Sequence, residues 1–335
     1  MTGAQTTGVG STGDKDFHFP PLTNGLDFVI SAVDSLAAED GPAPRELKYA
    51  VLHLQAAAET LFKARLEMHE PSLVWTKPDT YSEAKHTAGA FNSCSIKVAL
   101  ERLNSLAENG DITIETSLDP GDVDLEALGK LRNRIMHFGW RDSAVAVQAR
   151  TLPVLTLLFD FVSRDVLPYV ETFPDSWTAE KQMEKVRSQL KHLTDFVAHR
   201  TKSIAAQLDG YEHSTVACRS CGQHALVLDG GAIDLECLFC GKAYGSGEEA
   251  AWEFIGEDRY IAIKDGGSDF ANCESCGSDA VVAGLRTAAS PDTDSYICFS
   301  CGADWDGICG YCGSGGHLVM EDMCENCYEI RLAKF

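Results

Sequence analysis

Over the first 208 positions, apolar residues recur at the spacing of helix faces. Leu26, Val29, Val33 and Leu36 follow each other at intervals of three, four and three, one stripe along a helix. Leu47, Val51, Leu54, Ala58 and Leu61 repeat that rhythm in a longer segment, PRELKYAVLHLQAAAETLFKARLEMHE, with Pro44 suited to its first turn. Glu59 and Lys63 form an i,i+4 pair on it, which reads as a helix-surface ion pair. Residues 71–92 are irregular, broken by Pro71 and Pro78. A third helix covers about 94–108 and ends at Asn109-Gly110. A fourth starts at Asp122, a capping residue, and stops at Gly139. A fifth runs through TLPVLTLLFDFVSRDVL, with Pro153 as its start or a kink. A sixth, about 177–208, carries Met183, Val186, Leu190, Leu193, Val197, Ile204 and Leu208 at near-heptad spacing, so it packs on the bundle or pairs between subunits.

Beyond this point the pattern changes to short runs. ALVLD and AIDLEC flank Gly230-Gly231 and predict a hairpin. AVVAGL, SYICFSC and HLVMED read as strands. The expected fold is an N-terminal all-α helical bundle followed by small β modules.

Length and charge sharpen this division. At 335 residues the chain has room for two or three domains. Its 44% hydrophobic and 23% charged content is ordinary for a soluble globular protein. No apolar run approaches the roughly 20 residues of a membrane span, and the polar start, MTGAQTTGVGSTGDKD, reads as flexible and not as a secretory signal. The expected setting is the cytoplasm, with no membrane partner. The net charge of −22 divides into −7 over residues 1–208 and −15 over residues 209–335. Long-range attraction to nucleic acid is therefore not the default.

Twelve of the thirteen cysteines fall in the acidic second part, as six C-x2-C pairs: Cys218/Cys221, Cys237/Cys240, Cys273/Cys276, Cys298/Cys301, Cys309/Cys312 and Cys324/Cys327. Five of the six are followed by Gly, which permits the backbone angle that a tight sulfur-presenting turn needs. Consecutive pairs are separated by 15, 21 and 11 residues, spacings that suit three Zn2+ sites of four thiolates each. Cross-braced pairing of the knuckles stays open at this point. A disulfide framework would need an oxidising compartment that the N-terminus does not indicate. His213, His224 and His317 lie nearby, but four sulfurs already complete each ion. Such closed sites are structural, leaving no position for catalysis, and they hold up segments too small to bury a useful core. With seven basic residues in 127 positions, this part favours protein contact or regulation over nucleic-acid binding.

The remaining candidate chemistry lies on the fourth helix, DVDLEALGKLRNRIMHFGW. Leu125, Leu128, Leu131, Ile135 and Phe138 form its apolar stripe. At about 100° per residue, Asn133 and His137 lie roughly opposite Ile135, and Arg132 flanks the stripe at about 60°. His137 therefore points to solvent or to another subunit. It sits in the last turn, where the negative end of the helix suits a cation. Guanidinium beside imidazole suits a phosphate: the first stabilises charge on phosphorus, and the second transfers protons.

L-x-x-L-R-N-R-I-M-H resembles the motif of the HEPN (higher eukaryotes and prokaryotes nucleotide-binding) family, in which Arg and a polar residue precede a His. The helix AAAETLFKARL and the segment CSIKVALERL are similar to other parts of that family, and the resemblance covers about residues 25–170. It implies an all-α bundle that forms a homodimer with two Arg/His pairs face to face. It also implies metal-independent endoribonuclease activity on an RNA substrate, as in toxin, stress or phage-defence settings. The catalytic set carried over is Arg132 and His137, with Asn133 orienting the His or contacting phosphate; Glu59 and Lys63 are secondary. The alternative is an inactive adaptor that binds a protein partner or a nucleotide. An antitoxin or other protein partner would use the acidic zinc half.

The expected organisation is a flexible N-terminus (1–20), a HEPN-like bundle (21–175), a connecting or dimer helix (176–208) and three zinc ribbons (209–245, 246–303, 304–335). The basic residues Lys130, Arg132, Arg134 and Arg141 cluster around the motif. The acidic half would cover that cleft as a polyanion mimic, so that removing residues 209–335 should raise RNA cleavage. A zinc hydrolase is disfavoured, because the sequence offers no His/Glu ligand set with an open position.

Overall fold

The computed structural model describes residues 19–37, 41–139, 141–172, 175–229, 234–256, 270–320 and 322–334. The first part is helical: α1 (Pro21–Leu36), α2 (Pro44–His69), α3 (Glu83–Thr87), α4 (Ile96–Glu108), α5 (Val123–His137), α6 (Ala144–Phe161), α7 (Asp175–Leu190) and α8 (Thr194–Leu208). Single turns at Pro71–Val74 and Pro78–Thr80 fill the irregular stretch.

The long helix α2 is the bundle's centre. Its stripe of Leu47, Val51, Leu54, Ala58 and Leu61 is buried against α1, α4, α5 and α6. At Gly25 of α1, a Cβ atom would stand 2.7 Å from the Leu61 side chain, so this glycine lets the two axes approach closely. Helix α5 begins where Asp122 Oδ1 accepts hydrogen bonds from the amides of Asp124 (2.9 Å) and Leu125 (2.8 Å).

Two helices differ from expectation. The fifth starts at Ala144, several residues before Thr151, because Ser143 Oγ caps it by accepting from the Ala146 amide at 3.1 Å. Pro153 lies inside it. The expected sixth helix is two, broken by a turn at 191–193 in which the His192 and Leu193 amides bond to Gln189 O and Leu190 O. The near-heptad residues serve different neighbours: α7 packs on α1 and α8 on α6. Met183, Val186, Leu190, Leu193 and Ile204 are buried within the chain, so these five residues serve the bundle, while Val197 and Leu208 are half-buried. The stretch Ala144–Tyr169 is long and apolar enough to cross a membrane by length and composition. Its apolar character matches its place in the core, where Val154, Leu155, Leu158, Phe159 and Phe161 are buried.

The second part is strand-rich. β1 (Thr215–Ala217) and β2 (His224–Val227) pair antiparallel around the first cysteine knuckle, and β3 (Leu235–Glu236) pairs with β4 (Ala243–Gly245) around the second. The ribbons thus close across the knuckles; Gly230-Gly231, the expected hairpin turn, lies outside the described residues. Helix α9 (Gly247–Ile255) follows, opened by a Ser246/Glu249 capping box. β5 (Phe270–Cys273), β6 (Asp279–Leu285), β7 (Ser295–Cys298), β8 (Asp304–Trp305), β9 (Gly307–Ile308) and β10 (Ser314–Gly316) form one sheet in the order β8-β7-β6-β5-β10-β9. The β10–β5 pair is parallel and joins strands of the second and third cysteine sets. β11 (Leu318–Met320), β12 (Met323–Cys324) and α10 (Glu325–Leu332) complete the third.

The halves meet through two buried arginines. Arg187 of α7 and Arg200 of α8 are 2% and 3% exposed. Arg187 Nε donates to Cys240 O at 3.0 Å; Arg200 Nε donates to Phe239 O at 3.1 Å, and its Nη2 to Leu238 O at 3.2 Å. Arg200 also forks onto Asp160, at 2.6 and 2.5 Å. Phe196 meets Phe239 edge to face, and Gly241 lies against Ser163. The second knuckle of the first ribbon is therefore seated at the Ser163 end of α6. That is roughly 28 Å along the helix from Ala144, at ~1.5 Å per residue. The motif at the end of α5 lies beside Ala144, so this ribbon is anchored away from it. Deleting residues 209–335 would also strip both arginines of their carbonyl partners, so the truncation does not simply uncover a cleft. Replacing Arg200 by Met leaves Asp160 without its cation and is expected to cost about 3–5 kcal/mol, read as a lowered urea midpoint.

Candidate metal centres and the arginine–histidine helix end

The twelve paired cysteines gather as three groups: Cys218, Cys221, Cys237 and Cys240; Cys273, Cys276, Cys298 and Cys301; Cys309, Cys312, Cys324 and Cys327. The pairing is consecutive, not cross-braced. Within each group all four sulfurs lie within 4.8 Å of one another. In the first, Cys218 and Cys240 Sγ are 3.6 Å apart and Cys221 and Cys237 Sγ 3.8 Å. In the second, the Cys273–Cys301 and Cys276–Cys298 separations are 3.7 Å, as is Cys312–Cys324 in the third. A tetrahedron with Zn–S bonds of about 2.3 Å has edges of roughly 3.8 Å. The donor sets fit three structural zinc ions. In each of the five glycine-terminated knuckles the glycine amide returns to the first cysteine's carbonyl, at 2.7–2.8 Å. These glycines have φ of +59° to +78°, a left-handed conformation that explains their recurrence.

Site environments differ. In the first group all four cysteines are buried, and the Tyr244 hydroxyl lies 3.1 Å from Cys218 Sγ. Hydrogen bonds from Cys221, Cys237, Cys240 and Tyr244 pull the Cys218 thiol far down, whereas bonding to Cys218 and then burial push Cys237 and Cys240 up. A dication allows all four to be thiolates together. The second and third groups each present one exposed cysteine, Cys276 and Cys312. A strong chelator is therefore expected to draw two equivalents of zinc quickly and the third only as the protein unfolds. A colorimetric zinc-release time course checks this; three equivalents leaving in one phase would contradict it.

The arginine–histidine set lies on the last turns of α5. Asn133 and His137 are exposed and Arg132 is half-buried. Arg132 Nη1 donates to Asn133 Oδ1 at 2.9 Å, a bond within the motif. Lys130 pairs with Glu126 at 2.6 Å. Around His137, Met136, Phe138 and Val145 are 54%, 76% and 75% exposed. Beside them a groove is lined by Pro44, Leu47, Lys48, Ile135, Phe138 and Val147, so the motif sits near the start of α2. Glu59 and Lys63 are not part of it: 11 or more residues further along α2, they lie at least ~16 Å away by helix rise. Lys63 is also not on the surface. Its side chain is 11% exposed and bonds both Glu59 Oε1 (2.6 Å) and Ser93 Oγ (2.8 Å).

The sequence reading missed Tyr244, Arg187 and Arg200. The signal for Arg200 is its position between Phe196 and Ile204 at i±4, a charge on an otherwise apolar face. No family model, curated protein or solved structure matches this chain.

Proposed function

We propose that the protein is a HEPN-type, metal-independent endoribonuclease acting as a homodimer, with its zinc ribbons as structural and partner-binding modules. The observation that carries this reading is the Arg132–Asn133–His137 set, with Asn133 and His137 exposed and Arg132 half-buried, held on a capped helix and bordered by exposed Met136, Phe138 and Val145. Arg132 makes its described hydrogen bond to its own motif and not to the bundle, which leaves the set available to phosphate. The apolar border supplies a surface for a second copy.

In such a dimer the two His137 residues divide the work. One takes the proton of the ribose 2′-hydroxyl as that oxygen attacks the adjacent phosphorus. The other protonates the departing 5′-oxygen. The phosphorus–5′-oxygen bond breaks, leaving a 2′,3′-cyclic phosphate on one fragment and a 5′-hydroxyl on the other. The two Arg132 guanidinium groups stabilise the extra negative charge on phosphorus. Zinc–thiolate sites suit a reducing compartment, which supports a cytoplasmic setting, and the role proposed there is a toxin, stress or phage-defence one. Cleavage of single-stranded and structured RNA without added Mg2+ tests the proposal.

An adaptor function, with a protein such as an antitoxin as partner, is the second reading. It draws support from the third cysteine module, where Tyr311, Val319, Met320, Ile330 and Leu332 are all exposed. An inactive full-length chain that captures a partner through this module would favour it.

A further inference from the structure

A cavity of about 570 Å³ opens at the far end of α2 from the motif, between that helix, the start of α1, residues 169–172 and Asp175. That volume lies within the range of small-molecule pockets. Arg65 lines it and is 4% exposed. The Arg65 Nε donates to Asp165 O at 2.6 Å, and the guanidinium carbon sits 4.7 Å from the centre of the Tyr169 ring. Neighbouring carboxylates do not complete it: the two Asp165 oxygens accept from the Glu115 and Thr116 amides, at 2.6 and 3.1 Å, and Glu67, which also lines the cavity, bonds His86 Nε2 at 2.8 Å. Among the described residues, neither Arg65 Nη nitrogen donates a hydrogen bond. Burial lowers the guanidinium's pKa, as befits a cation short of partners. Two free Nη groups beside an aromatic face form a bidentate anion fork.

The mouth has the opposite charge. Asp111 and Glu171 line it and are exposed. Asp175, half-buried, also lines it and accepts from Thr172 Oγ1 at 3.1 Å. A simple anion such as phosphate would have to pass these carboxylates. A molecule with a carboxylate at one end and an ammonium at the other satisfies both layers, and Leu22, Met68 and Val170 supply apolar wall for the carbons between.

We propose that this cavity binds a small zwitterion of the basic amino-acid type, its carboxylate on Arg65 and its distal ammonium toward Asp111 and Glu171. The site is separate from the arginine–histidine set. Arg65 lies 17 residues along α2 from Lys48, roughly 26 Å by helix rise.

Titration calorimetry on the full-length, zinc-loaded chain tests it, with L-lysine, hexanoate, pentylamine and inorganic phosphate as probes. Saturable lysine binding is expected, at least tenfold tighter than hexanoate or pentylamine. Arg65→Lys, which keeps the charge and loses the fork, should weaken lysine and hexanoate alike by tenfold or more. The exposed pair Asp111→Asn/Glu171→Gln should weaken lysine by a similar factor and leave hexanoate unchanged. If Arg65→Lys does not fold, the Asp111/Glu171 variant still decides, because both side chains are exposed. Phosphate binding more tightly than lysine, lysine binding unmoved by the Asp111/Glu171 variant, or no saturable lysine binding at millimolar concentration would each overturn the proposal.

Discussion

A chain carrying Cys237→Ser is expected to lose helical order together with zinc. Structural zinc contributes apparent free energies of about 10–16 kcal/mol, comparable to the whole stability of a typical domain, ~5–15 kcal/mol. In this protein the first site has a wider reach than its own ribbon. Its second knuckle supplies the carbonyl acceptors of Arg187 and Arg200, and both guanidinium groups are buried. Releasing that knuckle takes the carbonyl acceptors from two buried cations, which keep only Glu180 and Asp160, at about 1–3 kcal/mol for each buried donor left unsatisfied, and exposes Phe196 and Phe239 to water. Zinc content should fall from three to two, and the thermal midpoint of the helical signal should drop by about 10 °C or more, at ~2–4 °C per kcal/mol. Cys312→Ser removes a ligand from the third site, whose strands pair with one another and with β5 and whose own helix α10 carries Cys327. It too should cost one zinc, but the helical midpoint should stay close to that of the parent. Circular dichroism melts of the two variants, each with its zinc content measured, make the comparison. Equal midpoints would mean that the first site does not support the bundle.

His137→Ala is expected to abolish RNA cleavage and leave the fold intact. The side chain is exposed at the end of α5, and a surface change of this kind moves stability by no more than about 0.5 kcal/mol. General acid–base catalysis is worth roughly 10²- to 10⁴-fold. In the proposed mechanism each His serves one of the two proton transfers, so its removal from both copies should cost at least the upper part of that range. Arg132→Lys should be nearly as damaging, since it keeps a charge but loses the planar fork. Glu59→Gln should leave cleavage unchanged, because Glu59 lies away from the motif and pairs with Lys63. Initial cleavage rates of the three variants, with circular dichroism as the control for folding, test this pattern.

How far the sequence reached depended on how local the information was. Helices α2 and α5 were readable, because an apolar stripe and a proline or aspartate at the start coincide in one segment. The three zinc sites were readable for the same reason, each knuckle being a four-residue signal and five of the six having a glycine after it. The start of α6 was not, because AVAVQAR carries no clear stripe and Pro153 resembles a boundary. Nothing marked the break between α7 and α8: Lys191-His192-Leu193 contains neither Gly nor Pro, and tertiary packing on two different helices decided it. The capping box Ser246-x-x-Glu249 went unread in the sequence, although it is a local signal and α9 follows it. The parallel β10–β5 pair joins segments some forty residues apart, and no local pattern encodes such a partner. At the candidate site, the exposure of His137 follows from helix geometry alone. The arginine clamp does not, although Arg200 on an apolar stripe hinted at it.

The most direct test of the nuclease proposal is an end-group analysis. Purified full-length chain is incubated with a defined single-stranded RNA without added Mg2+, and the fragment termini are identified by mass spectrometry. The account predicts 2′,3′-cyclic phosphate and 5′-hydroxyl ends from the parent protein and no fragments from folded, zinc-loaded His137→Ala. Fragments produced equally by that variant, or no fragments from a dimeric parent, would contradict it.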